Sequence, residues 1–177
     1  MNFLLLSDTK QYNIIDFLKK RGIVKWRNNI IKPEDIKQFD WIISYGYRHI
    51  ISNLIIDKVK NPIINLHISF LPFNRGAHPN YWSFKENTPK GVTIHFIDAG
   101  IDTGPILIQK KIKFFEEKTL NTTYIRLKKE LEELFYASFD KIISKQMLAY
   151  PQKGMGSYHK KNDLPANIDW DLNTNKI

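Results

Sequence analysis

The sequence predicts an α/β fold, a mostly parallel sheet flanked by helices. Three observations point there. Short, mainly apolar runs of strand length recur at Phe3–Leu6, Trp41–Ser44 and Ile63–His67, the pattern of strands buried on both faces. Longer amphipathic stretches separate them, and strand–helix alternation calls for a parallel sheet covered on both sides. The 177 residues, 42% hydrophobic and 25% charged, suit one globular domain.

The elements follow in order. After Phe3–Leu6, Asp8 or Thr9 is expected to cap a helix over 10–21, with Ile14, Ile15 and Leu18 inward and Gly22 as its stop. Ile23-Val24 reads as a short strand. Pro33-Glu34-Asp35 is expected to open a short helix, because proline fits a first turn. Strand Trp41–Ser44 leads to a helix over 50–59 and then to strand Ile63–His67. Pro79 starts a helix that runs to Asn87. Gly91–Ile97 and Pro105–Ile112 are strands joined by the loop 98–104. The longest helix is expected from Thr122 to Ser144. Tyr124, Leu127, Leu131, Leu134 and Ser138 make its packing face, and Lys128, Lys129, Glu130, Glu132 and Glu133 its wet side. From Pro151 on the chain shows no periodicity. Residues 1–150 therefore read as the domain, and 151–177 as an irregular tail packed on it.

Composition excludes several classes. There is no cysteine, hence no disulfide, thiolate metal site or cysteine nucleophile. No run of 18 apolar residues is present, and Met1–Asp8 lacks the basic start of a signal peptide. A soluble, cytoplasmic protein without membrane contact is expected. The net charge of +9 is spread as +5 over residues 1–60, +1 over 61–110, +2 over 111–150 and +1 over 151–177. A nucleic-acid binder concentrates charge in a patch, whereas a diffuse positive field steers small anions.

The informative stretch is Asn65 to Gly104. Asn65 and His67 lie two apart at the end of a buried strand, so both side chains face one side. Ligands of such sheets collect at the carboxyl ends of strands. Asp102 sits in a glycine-flanked loop within reach of the same crevice. An amide, an imidazole and a carboxylate suit an acyl transfer that needs no covalent intermediate. Asn65 donates to a developing oxyanion, His67 supplies a proton or positive charge, and Asp102 orients the imidazole and raises its pKa. Each also has an ordinary reading as a turn, packing or loop residue. His49, His78, His95 and His159 lack the short helical spacing of zinc enzymes, so no metal site is expected. His95 shares a face with Thr93 and either borders the site or packs. Tyr81, Trp82 and Phe84 read as core rather than as a base-stacking platform.

Asn65-Leu66-His67-Ile68-Ser69-Phe70-Leu71-Pro72, then Arg75-Gly76-Ala77, Gly91-Val92-Thr93-Ile94-His95 and Gly100-Ile101-Asp102-Thr103-Gly104 occur in this order. Together they resemble the folate-dependent formyltransferase family over residues 39–112. The resemblance implies a Rossmann-like formyltransferase fold with a shortened N-terminal half. It implies Asn65, His67 and Asp102 as the catalytic trio and N10-formyltetrahydrofolate as formyl donor, with no metal. It also implies a donor pocket formed by the segment 44–50 and the loop 98–102, with Tyr45, Tyr47, Arg48, His49, Asp98 and Ile101 as contacts. Tyr45–Ile51 looks like the enzymes that formylate nucleotide-linked amino sugars, and Lys153–His159 resembles short sugar formyltransferases of polysaccharide loci. Too few residues follow the long helix for the C-terminal β-domain of enzymes that act on methionyl-tRNA.

The expected activity is therefore N-formylation of a dTDP- or UDP-linked amino sugar for surface polysaccharide (lipopolysaccharide) synthesis. Arg75 would meet the diphosphate and Tyr158 the base or sugar. The alternatives are another amine, such as glycinamide ribonucleotide or methionyl-tRNA, or an inactive nucleic-acid-binding relative. No specific nucleic-acid partner is expected. A homodimer is, with 105–116 and the C-terminal helix in or near its interface, because Phe114, Phe115, Phe135, Tyr136 and Phe139 exceed what one inner face needs; the alternative is that these aromatics fold into the monomer's own core.

Overall fold

Six strands line up as one sheet in the order β2-β1-β3-β4-β6-β7. The strands are β1 (Asn2–Leu6), β2 (Ile23–Arg27), β3 (Trp41–Tyr45), β4 (Ile64–His67), β6 (Gly91–Phe96) and β7 (Ile106–Lys111). The computed structural model describes residues 1–115 and 117–177. Pairs β1·β2, β1·β3 and β3·β4 are parallel, and β4·β6 and β6·β7 antiparallel. Five strands thus share one direction and β6 alone opposes them, as the strand–helix alternation predicts.

The two faces of the sheet differ. Phe3, Leu5, Trp41, Ile43, Tyr45, Ile64, Leu66, Val92 and Ile94 fill one face against α1 (Tyr12–Lys19) and α4 (Leu120–Ile143). The other face is apolar over β1 and β3, where Leu4, Leu6 and Ile42 pack with Ile31, Ile36, Phe39, Ile51 and Ile55. It turns polar further along. Register sets Ser44 beside Asn65 and Asn65 beside His95, with His67 beside Thr93 in the next row. Strand alternation alone puts these side chains on one surface.

Several local expectations are corrected. α1 starts at Tyr12 after Gln11 with no side-chain cap, and Asp8 instead pairs with Arg48 at 3.0 Å. Gly22 does not end α1 by a left-handed turn. A Cβ there would run into the Met1 carbonyl, which accepts the Ile23 N–H at 2.9 Å. Residues 33–35 form turns rather than a helix. The Asp35 carboxylate accepts the Lys32 N–H at 2.8 Å, a local bond that competes with helix formation. The helix expected over 50–59 is the single turn α2 (Asn53–Ile56), in which only Ile55 is buried, too little packing to sustain further turns.

α4 begins two residues early because Thr119 and Thr122 form a capping box. Its buried stripe runs through Leu120, Thr123, Leu127, Leu131, Phe135, Ser138, Phe139 and Ile142. Tyr124 is exposed and Leu134 half-buried. Glu130, expected on the wet side, is buried and held by Lys110 and by Arg126 Nη2 at 2.6 Å. Phe135 and Phe139 are fully buried, so two of the aromatics expected at a partner surface belong to the core. Phe115 is 81% exposed; Glu116, the end of that expected interface segment, lies outside the described residues.

After α4 the chain turns back over the polar half of the sheet. β8 (Tyr158–His159) pairs in parallel with β5 (Arg75–Gly76). His159 stacks on Trp82 of α3 (Pro79–Lys85), ring centroids 4.0 Å apart. Trp82 therefore packs against the tail, while Tyr81 is buried as expected. Among the described residues no helix is long and apolar enough to cross a membrane.

Candidate active site

The polar patch on β4 and β6 is closed by the loop 98–104. Gly104 allows that loop to return along β6, since a Cβ there would enter the Phe96 carbonyl. Asp98 braces the loop through the Thr103 hydroxyl at 2.6 Å and the Gly100 N–H at 3.1 Å. Asp102 has φ 53, a left-handed conformation that Asp tolerates better than most residues. It turns its carboxylate back onto the sheet.

There the trio meets. Asn65 Nδ2 donates to Asp102 Oδ1 at 3.0 Å, and the Gly76 N–H donates to Oδ2 at 2.9 Å. His67 Nδ1 lies 3.7 Å from Oδ2. Its Nε2 is 3.3 Å from the Asn74 carbonyl, a group that can only accept, so Nε2 carries the hydrogen. Burial pushes the His67 pKa below its ordinary value and outweighs the Asp102 charge, which pulls upward. Asp102 thus raises the pKa of this imidazole as expected, but burial is the larger influence and the net shift is downward, toward the neutral ring. Burial also pushes Asp102 upward, while the hydrogen bond from the Gly76 N–H pulls its carboxyl downward, and a positive charge gained by either neighbouring imidazole, His67 or His95, would hold it below the usual carboxylate range.

Sequence reasoning missed two further members of this network and left a third, His95, open between bordering the site and packing. His95 is buried with Nε2 3.0 Å from Asn65 Nδ2 and 3.5 Å from Asp102 Oδ1. Its Nδ1 is 2.8 Å from the Phe96 carbonyl and so carries the hydrogen, which leaves Nε2 to accept from Asn65. Its spacing from Thr93 was the available signal. Asn74 (φ 56) is fully buried; its backbone N–H and carboxamide bond Ser157 and Thr88 while its carbonyl holds His67. Gln152 donates to the Asp102 and Gly104 carbonyls at 2.8 and 2.9 Å. Neither Asn74 nor Gln152 lies in a periodic segment, so no pattern marked them.

The expected donor-pocket residues separate. Tyr45 faces away from the patch, because its register neighbour is Leu66 rather than Asn65; its hydroxyl donates to Glu132 at 3.3 Å, and it is core. Tyr47 and His49 reach the carbonyls of Asn29 and Asn28 at 2.7 and 3.1 Å, bracing the loop after β2. Arg48 and Ile101 are both exposed. Arg75 gives Nε and Nη2 to Gln152 Oε1 at 3.0 and 2.8 Å. Tyr158 is exposed, its ring close over Gly76. Among the described residues no cluster of His, Asp and Glu could hold a metal ion.

The formyl transferase family profile matches residues 25–137, a span containing the whole trio. The chain belongs to the formyl transferase family. The solved structure of the formyltransferase PseJ from Anoxybacillus kamchatkensis, in complex with UDP-4,6-dideoxy-4-formamido-L-AltNAc and tetrahydrofolate, is 40% identical to it. That structure superposes with a TM-score of 0.93 over 99% of this chain and 97% of PseJ. A methionyl-tRNA formyltransferase of Thermodesulfovibrio yellowstonii is 34% identical over 85% of this chain and 49% of its own length. A dTDP-4-amino-4,6-dideoxyglucose formyltransferase of Mycobacterium bovis is 30% identical over 79% of this chain and 59% of its own. This formyl transferase chain thus spans about half to three-fifths of these two curated relatives.

Proposed function

We propose that this chain is an N-formyltransferase that moves a formyl group from N10-formyltetrahydrofolate to the amine of a nucleotide-linked amino sugar. The observation that carries the reading is the convergence of Asn65 and His67 on one carboxylate, 3.0 and 3.7 Å from Asp102. Support for the acceptor class comes from PseJ, similar nearly end to end, whose structure holds a UDP-linked formamido sugar with tetrahydrofolate. Of the two nucleotides, UDP is therefore favoured. Methionyl-tRNA as acceptor draws on relatives about twice this chain's length.

The residues present fit such a donor. A carboxamide bonded to a carboxylate at 3.0 Å, with an imidazole 3.7 Å from the same carboxylate, supplies the groups a formyl oxygen and an amine proton require. Tyr47 and Ile97 pack on the apolar cluster that contains Ile51, which ties the segment 46–51 to the strand end that leads into the loop 98–104. The donor supplies a formyl carbon held on nitrogen and open to attack by an amine. Asn65 turns an amide hydrogen to the developing oxyanion. The bare Nδ1 of the neutral His67 ring takes the proton the attacking amine loses, beside the Asp102 carboxylate that favours the charged ring. It returns that proton to the leaving nitrogen as that nitrogen's bond to the formyl carbon breaks, so the proton lost by the amine is the one the leaving group gains. Arg75 and Tyr158 are the acceptor-side residues of the proposal. A homodimer, a cytoplasmic location, a role in surface polysaccharide synthesis and no specific nucleic-acid partner complete it.

The test is incubation with N10-formyltetrahydrofolate and a panel of UDP- and dTDP-linked amino sugars, read by mass spectrometry of the formamide. Product with glycinamide ribonucleotide or methionyl-tRNA, and none with any nucleotide sugar, overturns the acceptor assignment.

A further inference from the structure

We propose that Gln152 is a positioning residue that clamps the Asp102 loop against Arg75 and so fixes the carboxylate beneath Asn65 and His67. Its catalytic consequence rests on the formyl-transfer reading above; its effect on the site does not. One carboxamide makes four bonds. Both hydrogens of Nε2 go to the carbonyls of Asp102 and Gly104, at 2.8 and 2.9 Å. Oε1 takes the Arg75 Nε and Nη2 hydrogens at 3.0 and 2.8 Å. The circuit then closes through the chain itself. Gly76, next to Arg75, donates its N–H to Asp102 Oδ2 at 2.9 Å. Asp102 is thus gripped at its carbonyl by Gln152 and at its carboxylate by the residue after Gln152's other partner.

The grip has work to do, because a non-glycine residue at φ 53 persists only where its surroundings over-determine it. The chemistry also singles out an amide. A carboxylate at 152 would set its charge against two carbonyl oxygens, and a cationic side chain has no acceptor for Arg75. Asn74 provides a second tie between tail and site through Ser157, on the His67 side. The segment after α4 therefore supports both the imidazole and the carboxylate.

Gln152→Leu keeps bulk and removes every polar contact; Gln152→Asn keeps donor and acceptor one methylene short. In the full chain we expect kcat to fall by about 10²-fold in Gln152→Leu, with KM changed far less, since misplacing a reacting group by about 1 Å has that effect. Gln152→Asn should fall between. A second readout needs no turnover: the NMR titration of the His67 ring. The titratable groups acting on that ring are Asp102 on the loop and His95 on β6, with the Asn74 carbonyl as its bond partner. Once the loop slackens, the charge of Asp102 and the burial that the loop provides both change, so the His67 titration should move away from the wild-type curve in both variants. If both keep the wild-type kcat and titration, or lose only thermal stability, the proposal is overturned. A wild-type chain without formyl transfer would sink the function reading and leave the titration as the deciding test.

Discussion

Asn65 has two amide hydrogens, and both are engaged, one by Asp102 Oδ1 and one by His95 Nε2. An oxyanion must displace one of these acceptors, and a ring nitrogen yields more easily than a carboxylate. Asn65→Ala is expected to lower kcat about 10²–10³-fold, measured as formamide formed per enzyme. Asp102→Asn should lower kcat strongly with the fold intact by circular dichroism, because Asn also accepts a left-handed backbone. The pH dependence follows from the His67 shift. Its folded pKa lies below the unfolded value of about 6.5. Below that value the unfolded chain binds the extra proton, so the stabilising contribution is present above about pH 6.5 and is lost as pH falls toward the lowered pKa. Urea midpoints from pH 8 to 5 should fall more steeply for the wild type than for His67→Gln. Asn65 and His67 were legible because a two-residue strand period fixes their side, and Asp102 because its glycine-flanked loop carries a recognisable motif. Asn74 and Gln152 were not, since turns and tails have no period and their partners lie 83 or about 50 residues away in sequence.

The buried strands were readable as elements because a two-sided core demands unbroken apolar runs, and those runs leave little choice of structure. Where a single side chain decides, the reading failed: Asp35 bonds its own turn, and Glu130 finds Lys110 across the sheet edge. α4 shows how energy selects among nearly equal faces. A stripe through Phe135 and Phe139 buries more apolar surface than one through Tyr124 and Leu134, and burying such a ring contributes about 1.5–3 kcal/mol. Phe139 also touches the rings of Phe3, Phe17 and Phe135, with centroids 5.8, 5.2 and 5.3 Å apart. Phe139→Ala is therefore expected to cost about 3–5 kcal/mol, and Thr119→Ala, which opens the capping box, about 1 kcal/mol. Chemical denaturation of the two variants checks both, and equal losses would contradict the ranking.

Across the whole molecule, the net charge of +9 is spread along the chain, and binding to tRNA should be weak, non-specific and steeply salt-dependent. Assembly follows from the free end of the sheet. β7 pairs with β6 along its length, and on its other side, among the described residues, only the bridge Ile106–Tyr150 meets it. Nearby, Phe115 and Leu148 are more than four-fifths exposed and Tyr150 is also exposed. With Phe135 and Phe139 in the core, the case for a partner surface narrows to this end. Lys110 and Lys111 on β7 oppose bare strand-to-strand pairing, so contact through the aromatic and aliphatic side chains beside the edge is the favoured mode. A two-fold dimer of standard size hides about 800 Å² per copy, a small part of the 9967 Å² accessible surface. Light scattering at micromolar concentration should give twice 20.9 kDa, and Phe115→Glu should halve it, because a charge cannot be buried there without a partner. A mass of one chain at every concentration would leave those aromatics as ordinary exposed surface.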